Sequence, residues 1–156
     1  MTLFPESSLP SGGRAILLSI KPKYADLIIA GSKTVELRRS WSATDAGVIV
    51  IYSSMPVQRL IGIATIDRVE QRDVNGLWEL ACERGGGVTK EELEEYFHGK
   101  KTAFGVMIRS VAVAETQVDP KSLFPDFTPP QSFLYLSPAD YQRVRQAMYP
   151  SEGTPA

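Results

Sequence analysis

Three ionic side chains lie close together in the first quarter of the chain: Lys33, Glu36 and Arg38. In an extended strand the side chains alternate between two faces, so Glu36 and Arg38 point to one side while Val35 and Leu37 point to the other. The planar guanidinium of Arg38 suits a phosphate or a carbonyl group, and Glu36 can accept a hydrogen bond from the exocyclic amine of a base. Together these groups fit a nucleotide. The same pattern also suits an ordinary charged strand face on which Glu36 simply pairs with Arg38.

Two further residues are candidates for contacting a ligand, and each has an ordinary alternative role. Lys21 precedes Pro22 at a turn from a strand to a helix. The start of a helix favours anions, so Lys21 is either an anion-binding group or a solvated lysine of the turn. Trp41 lies in a polar loop, where it serves either as a stacking platform for an unpaired base or as a lid on the core.

Neutral polar residues occur at two other places where the backbone changes direction. Ser53 and Ser54 follow an apolar strand, and Gln131 and Ser132 follow two prolines that restrict the backbone. Hydroxyl and amide groups at such positions either line a binding cleft or hydrogen-bond the local turn. All four are therefore included among the candidate ligand-binding residues.

The cysteine and histidine content argues against a metal site. Cys82 is the only cysteine and His98 is the only histidine. One cysteine cannot form an internal disulfide, and together these two residues cannot supply the ligands of a structural zinc ion. We expect no metal and no cofactor, and we expect Cys82 to be a packing thiol rather than a nucleophile.

The net charge of −1 conceals two regions of opposite sign. Residues 14–39 contain six basic and two acidic side chains, whereas residues 70–95 contain eight acidic and three basic ones. A domain that coats nucleic acid without selectivity would carry a strongly positive charge, so the sequence favours local, selective binding of RNA over indiscriminate coating. The acidic helix predicted at 89–97 is either a solvated face or a surface for a protein partner.

Hydrophobic periodicity predicts a mixed α+β domain. Strands are predicted at 15–20, 34–38, 47–52, 60–66 and 103–113, within a total of about five or six. Helices are predicted at 22–30, from 74 to about 85, from 89 to about 99, and from 138 onward, within a total of three or four. The proline-containing stretch 117–133 is predicted to be irregular.

The length and composition fit one domain, predicted at 14–149, between a flexible arm at 1–13 and a flexible tail at 150–156. Hydrophobic residues make up 43% of the chain and charged residues 22%, an ordinary globular balance. No apolar run reaches the roughly 18 residues of a membrane helix, and no basic leader precedes an apolar block. We therefore expect a cytoplasmic protein without membrane association.

The segment 20–39 resembles the signature of the ASCH domain family. In that signature a short helix ends in Gly-x-Lys, here at 31–33, and leads into a strand carrying Glu-x-Arg, here at 36–38. Residues 52–56, 61–62 and 129–133 extend the resemblance, the last being similar to a bacterial branch of predicted transcriptional regulators. The resemblance implies a PUA-like β-barrel whose cleft, between the first helix and the barrel mouth, holds RNA or a modified nucleobase.

One branch of this family resembles amidohydrolases that remove an acyl group from N4-acetylcytidine. Its pattern matches this chain at Gly31, Lys33, Thr34 and Arg38, but Glu36 stands where that branch has its nucleophilic threonine. The resemblance therefore does not carry that mechanism over intact. If amide hydrolysis occurs here, Glu36 has to act as a general base on water while Lys33 holds the developing oxyanion.

Three hypotheses follow for the function. The first is a regulatory PUA-like domain that binds RNA or a nucleotide in a cleft formed by Lys33, Glu36 and Arg38. The second is an enzyme, either an N4-acylcytidine-type nucleoside amidohydrolase or a weak ribonuclease, with Lys33 and Glu36 as its catalytic residues. The third is a protein-interaction domain of a transcriptional assembly that uses the acidic helix at 89–97. The sequence favours no particular oligomeric state.

Overall fold

The computed structural model describes residues 13–152, which form six strands and four α-helices. The strands are β1 (Arg14–Ile20), β2 (Val35–Arg38), β3 (Ala46–Ser53), β4 (Arg59–Asp73), β5 (Thr102–Val118) and β6 (Phe133–Tyr135). The helices are α1 (Pro22–Ile29), α2 (Val74–Arg84), α3 (Lys90–Tyr96) and α4 (Pro138–Met148), and short 3-10 turns occur at Pro120–Ser122 and Pro150–Glu152. The predicted mixed α+β class is confirmed.

All six strands belong to one sheet, in the order β2-β5-β4-β3-β1-β6. β1 pairs with β3 in parallel, and every other pair of neighbours is antiparallel. Register shifts on either side of Ile66 disrupt the ladder between the long strands β4 and β5, and such irregularities bend a sheet. β2 and β6 nevertheless remain edge strands. Across the described residues the sheet is open, so the predicted closed β-barrel is not confirmed.

Both faces of the sheet are covered, because successive residues of a strand point to opposite sides. In β1, Ala15 and Leu17 join the hydrophobic cluster that α4 covers, whereas Ile16, Leu18 and Ile20 join the cluster that α1 covers. A third cluster packs α2 and α3 against β2 and β5. Val35 and Leu37 of β2 belong to this third cluster, so Glu36 and Arg38 point to the other face of the strand.

Local sequence signals account for the ends of the helices. Pro22 occupies the first turn of α1, and Gly31 has a φ of +82°, the left-handed conformation that favours glycine after a helix. At the start of α3 the predicted capping box is present, with Thr89 and Glu92 each accepting a hydrogen bond from the other's backbone amide. These signals define both ends of α1 and the start of α3.

Some elements differ from those predicted. β4 and β5 continue well beyond 66 and 113, because the added residues pair across the sheet and include ionic contacts such as Arg109 to Asp67 at 3.2 Å. β6 was not predicted: it begins at Phe133, the last residue of the predicted irregular stretch, and pairs with β1. Cys82 is exposed on α2 rather than packed. These features depend on distant partners or on the orientation of a helix, which local periodicity does not specify.

The predicted arm at 1–13 lies outside the described residues except for Gly13. The predicted tail at 150–156 lies outside them from residue 153 onward, while Pro150–Glu152 form a 3-10 turn. In that turn, Glu152 contacts Arg145 of α4 at 2.6 Å. No helix between residues 13 and 152 is long and apolar enough to span a membrane.

Candidate functional site

A cavity of about 530 Å³ lies between the start of α1, the strand β2 and one face of α3. Its wall includes Lys21 and Tyr24 from the β1–α1 segment, Arg38 from β2, and Glu95 and Tyr96 from α3. The volume is within the range of about 300–1,000 Å³ that is common for small-ligand sites. Charged and aromatic groups therefore share one concave surface.

Lys33 contributes to this wall from a buried position, with only 2% of its surface exposed. Its backbone amide donates to the carbonyl of Leu27 at 3.1 Å, which ties it to α1. Its ammonium donates to the carbonyl of Gly86 at 2.5 Å and lies 5.0 Å from the centre of the Tyr24 ring. An ammonium has three N–H donors and Gly86 accepts from one, so donors remain for a ligand.

The carboxylate of Glu36 lies between two cations. Its Oε1 is 3.8 Å from Nζ of Lys33, and its Oε2 accepts a hydrogen bond from Nη1 of Arg38 at 3.2 Å. The Glu36 side chain is 7% exposed and that of Arg38 is 14% exposed. The alternative of a charge pair on an open strand face is therefore correct about the pair but not about its exposure, since the pair lies nearly buried in the cavity wall.

The end of α2 holds the segment that enters β2. The backbone amide of Thr34 and its hydroxyl both donate to the carbonyl of Arg84, at 2.8 and 3.0 Å. In return, Nη2 of Arg84 approaches the carbonyls of Thr34 and Ile108 at 3.5 and 3.4 Å. Two helices thus position Lys33: α1 through the backbone of Lys33 itself, and the end of α2 through the neighbouring Thr34.

The same cluster can bind an anion or move a proton. Lys33 and Arg38 carry two positive charges against the single negative charge of Glu36, so the cluster keeps a net positive charge toward the cavity. A phosphate is one of the anions that the flat fork of an arginine such as Arg38 can recognise. A neighbouring lysine and glutamate can also act as an acid and a base.

Residues 18–115 match the ASCH domain family. This chain belongs to that family. The match runs from β1 into β5 and contains Lys33, Glu36 and Arg38, whereas Gln131 and Ser132 lie beyond it. The resemblance carried by the sequence signature is confirmed.

Proteins similar to this ASCH domain cover nearly all of it. A Zymomonas mobilis protein named an ASCH domain-containing ribonuclease is 30% identical over 141 residues, which cover 88% of this chain and 94% of that protein. The crystal structure of ASCH from Zymomonas mobilis has a TM-score of 0.75 at 28% identity, covering 84% of this chain and 93% of that one. The N-terminal domain of McrB from Staphylothermus marinus has a TM-score of 0.57 at 11% identity, covering 88% of this chain and 96% of that domain, a likeness of fold alone.

Six of the candidate residues lie together in the wall of the ASCH-domain cavity. They are Lys21, Lys33, Glu36, Arg38, Ser54 and Gln131. Ser132 does not line the cavity with these residues, but its backbone carbonyl lies 3.5 Å from Nη2 of Arg38. Four separate parts of the chain therefore meet at one site.

Two candidates lie elsewhere. Trp41 packs against Phe133, with ring centres 6.2 Å apart, and against the core cluster that α1 covers. Ser53 is 1% exposed. Neither is part of the cavity wall, and neither the Trp41 indole N–H nor the Ser53 hydroxyl has a hydrogen-bond partner among the described residues. Trp41 follows the edge strand β2 and turns inward, because apolar neighbours from the β6 segment cover it.

Among the cavity residues that the reasoning from sequence missed, three lie on one face of α3: Glu92, Glu95 and Tyr96. The two acids were interpreted as part of either a solvated face or a surface for a protein partner. The spacing of the three residues, i, i+3 and i+4, is a signal for one shared helix face, but the sequence does not show that this face borders a cavity. The described residues contain no group of three or more His, Cys, Asp or Glu side chains suited to a metal ion.

The buried ammonium of Lys33 leads to a pH-dependent prediction. Burial lowers the pKa of Lys33 below its ordinary 10.5, and the Glu36 carboxylate opposes this. Between the lowered pKa and 10.5 the unfolded chain binds more protons, so the Lys33 contribution to the free energy of unfolding rises with pH. Lys33→Met should reduce this rise, by at most about 1.4 kcal/mol per pH unit. Urea unfolding of both proteins across this range measures the difference, and parallel pH profiles would contradict it.

Proposed function

We propose that this ASCH domain binds single-stranded RNA, holds one nucleotide in the cavity beside Lys33, and cleaves the RNA slowly. The observation that carries the proposal is the cluster of Lys33, Glu36 and Arg38 beside a cavity of about 530 Å³. The ribonuclease from Zymomonas mobilis, similar over 94% of its length, supports RNA as the substrate class. A regulatory role, in which capture of RNA matters more than rapid turnover, completes the proposal.

The energetics of the cluster favour a ligand-binding role. Burying charged groups costs several kcal/mol per ion, and well-packed apolar residues of similar volume often give equal or greater stability. Lys33 and Glu36 are both almost fully buried, yet both line the cavity. Their charges are therefore explained more simply by a polar ligand than by a need for folding stability.

Each group has a role in holding RNA. Arg38 donates to phosphate oxygens through its fork, and Lys21 adds a second cation at the start of α1, where the helix dipole also favours an anion. Ser54 and Gln131 supply neutral donors and acceptors for the sugar or base. Selective binding of one nucleotide agrees with the overall charge of −1 better than coating of long RNA does.

For cleavage, the 2′-oxygen of the bound ribose attacks the adjacent phosphorus while the bond from phosphorus to the 5′-oxygen breaks. A base accepts the 2′-hydroxyl proton and an acid gives a proton to the leaving 5′-oxygen, so the products are a 2′,3′-cyclic phosphate and a 5′-hydroxyl. Glu36 is the base and Lys33 the acid in this scheme. Arg38 stabilises the charge that develops on the phosphate.

RNA binding tests the proposal directly. Arg38→Ala should weaken binding of a short fluorescent RNA by about tenfold or more, since hydrogen bonds to charged groups contribute about 1.5–3 kcal/mol. The matched control is Arg68→Ala, which removes the same charge from an arginine on β4 that is 56% exposed and outside the cavity wall. Fluorescence anisotropy measures both. Equal loss in the two variants, or no RNA binding by the wild type, rejects the proposal.

Product analysis then separates binding from cleavage. Wild-type protein should yield fragments ending in a 2′,3′-cyclic phosphate, and Lys33→Met should lose this product. If RNA binds but no cleavage product appears, the proposal of RNA binding stands and the proposal of RNA cleavage is rejected. Release of the acyl group from an acylated cytidine, with RNA left intact, would assign the site to amide hydrolysis instead.

A further inference from the structure

One face of α3 brings an unpaired acid and an aromatic ring to the cavity. Glu92, Glu95 and Tyr96 all line it. The Glu92 carboxylate is already engaged, since it accepts from the backbone amide of Thr89 at 2.9 Å and lies 3.5 Å from Nζ of Lys23. Glu95 differs, because no side chain or backbone donor among residues 13–152 contacts its carboxylate. This acid is available to a ligand.

Tyr96 is a fixed aromatic surface beside that acid. It is 44% exposed, and its ring packs on Phe97 with centres 4.7 Å apart. Nη1 of Arg39 donates to the Tyr96 backbone carbonyl at 2.5 Å, which fastens the end of α3 to the segment after β2. The other cavity tyrosine, Tyr24, already faces Lys33. Tyr96 is therefore the better platform for a stacked base.

We propose that Tyr96 stacks the base of the bound nucleotide and that Glu95 selects bases with an exocyclic amine, cytosine over uracil. This inference rests on the proposed binding of RNA in the cavity. The carboxylate of Glu95 accepts the hydrogen bond that the amine of cytosine donates. Uracil presents a carbonyl oxygen at the same position, so two acceptors would face each other without a shared proton.

The charges of the cavity favour the same orientation of the nucleotide, with its base toward α3. Its positive groups are Lys21 in the β1–α1 turn, Lys33 in the segment between α1 and β2, and Arg38 in β2. The charged residues that α3 contributes to the wall are the acids Glu92 and Glu95. A phosphate is attracted to the first set and repelled by the second. The phosphate accordingly lies toward Arg38, which leaves the base to meet α3.

The test compares short oligocytidine and oligouridine of equal length by fluorescence anisotropy. Wild-type protein should bind oligocytidine about tenfold more tightly, the difference that one hydrogen bond to a charged group produces. Glu95→Gln should bring the two affinities close together, because a neutral amide both donates and accepts. Glu94→Gln is the matched control, since it removes the same charge from the next residue, which is exposed and outside the cavity wall. Tyr96→Leu should weaken both oligomers by a similar factor.

The outcomes separate this inference from the proposed function. Equal affinity of the wild type for the two oligomers, or an unchanged preference in Glu95→Gln, overturns base selection while RNA binding through Arg38 stands. Loss of the preference in Glu94→Gln to the same extent overturns it as well, because a general charge effect would then explain the data. If the wild type binds neither oligomer, both proposals fail together.

Discussion

Glu36→Gln should lower the free energy of unfolding by about 3 kcal/mol, because breaking a buried ion pair leaves its partners uncompensated. Glu36 is 5% exposed and its carboxylate serves both Lys33 at 3.8 Å and Arg38 at 3.2 Å. Glutamine keeps the size of the side chain but removes the charge. Urea unfolding, followed by circular dichroism, measures the loss.

Two further variants identify the cause. Glu152→Gln removes a carboxylate from the more exposed Arg145 pair and should cost less than about 1 kcal/mol. Adding Lys33→Met to Glu36→Gln should restore part of the stability, since one of the two uncompensated cations is removed. A loss in Glu36→Gln no larger than that in Glu152→Gln would show that solvent screens the buried cluster.

Gly85→Ala should be comparably damaging, at roughly 3 kcal/mol, for a reason that combines backbone conformation with packing. Gly85 has a φ of +65°, and a Cβ atom added there would lie 2.0 Å from the backbone oxygen of Ser32. Backbone atoms cannot move aside as the end of a flexible side chain can. The substitution therefore forces the end of α2 away from the segment that leads into β2.

Gly99→Ala is the control for backbone conformation alone. Gly99 has a φ of +83°, but an added Cβ meets nothing within 4 Å, so only the cost of the left-handed conformation, about 1–2 kcal/mol, applies. Thermal or urea unfolding of both variants isolates the effect of the close contact. Equal losses would mean that the contact between Gly85 and Ser32 relaxes freely.

Gly85→Ala should also disturb the candidate site, because the residues on either side of Gly85 hold Lys33 and Thr34. The next residue, Gly86, accepts the hydrogen bond from Lys33, and the preceding Arg84 accepts two from Thr34. A shift of this loop would therefore move the ammonium and the entry to β2 together. The loop after α2 thus supports the site through the Gly86 carbonyl, which accepts from the Lys33 ammonium.

Local sequence patterns determined much of the scaffold. The proline at the start of α1, the glycine after it and the capping box at Thr89 each specify a helix end through interactions within a few residues, so they could be recognised without the fold. The alternation in 34–38 likewise predicted β2. The grouping of Lys33, Glu36 and Arg38 and the resemblance to the ASCH family followed from the same short segment.

Only the tertiary structure decided that the charged face of β2 is covered and that α3 forms part of the cavity wall. The contacts responsible join residues far apart in sequence, such as Lys33 with Gly86 and Arg38 with the carbonyl of Ser132. β6 owes its strand conformation to pairing with β1, and Trp41 turned toward the core because Phe133 lies beside it. Periodicity tells which side chains share a face of one element. What that face meets depends on how the elements pack, and that is a property of the whole chain.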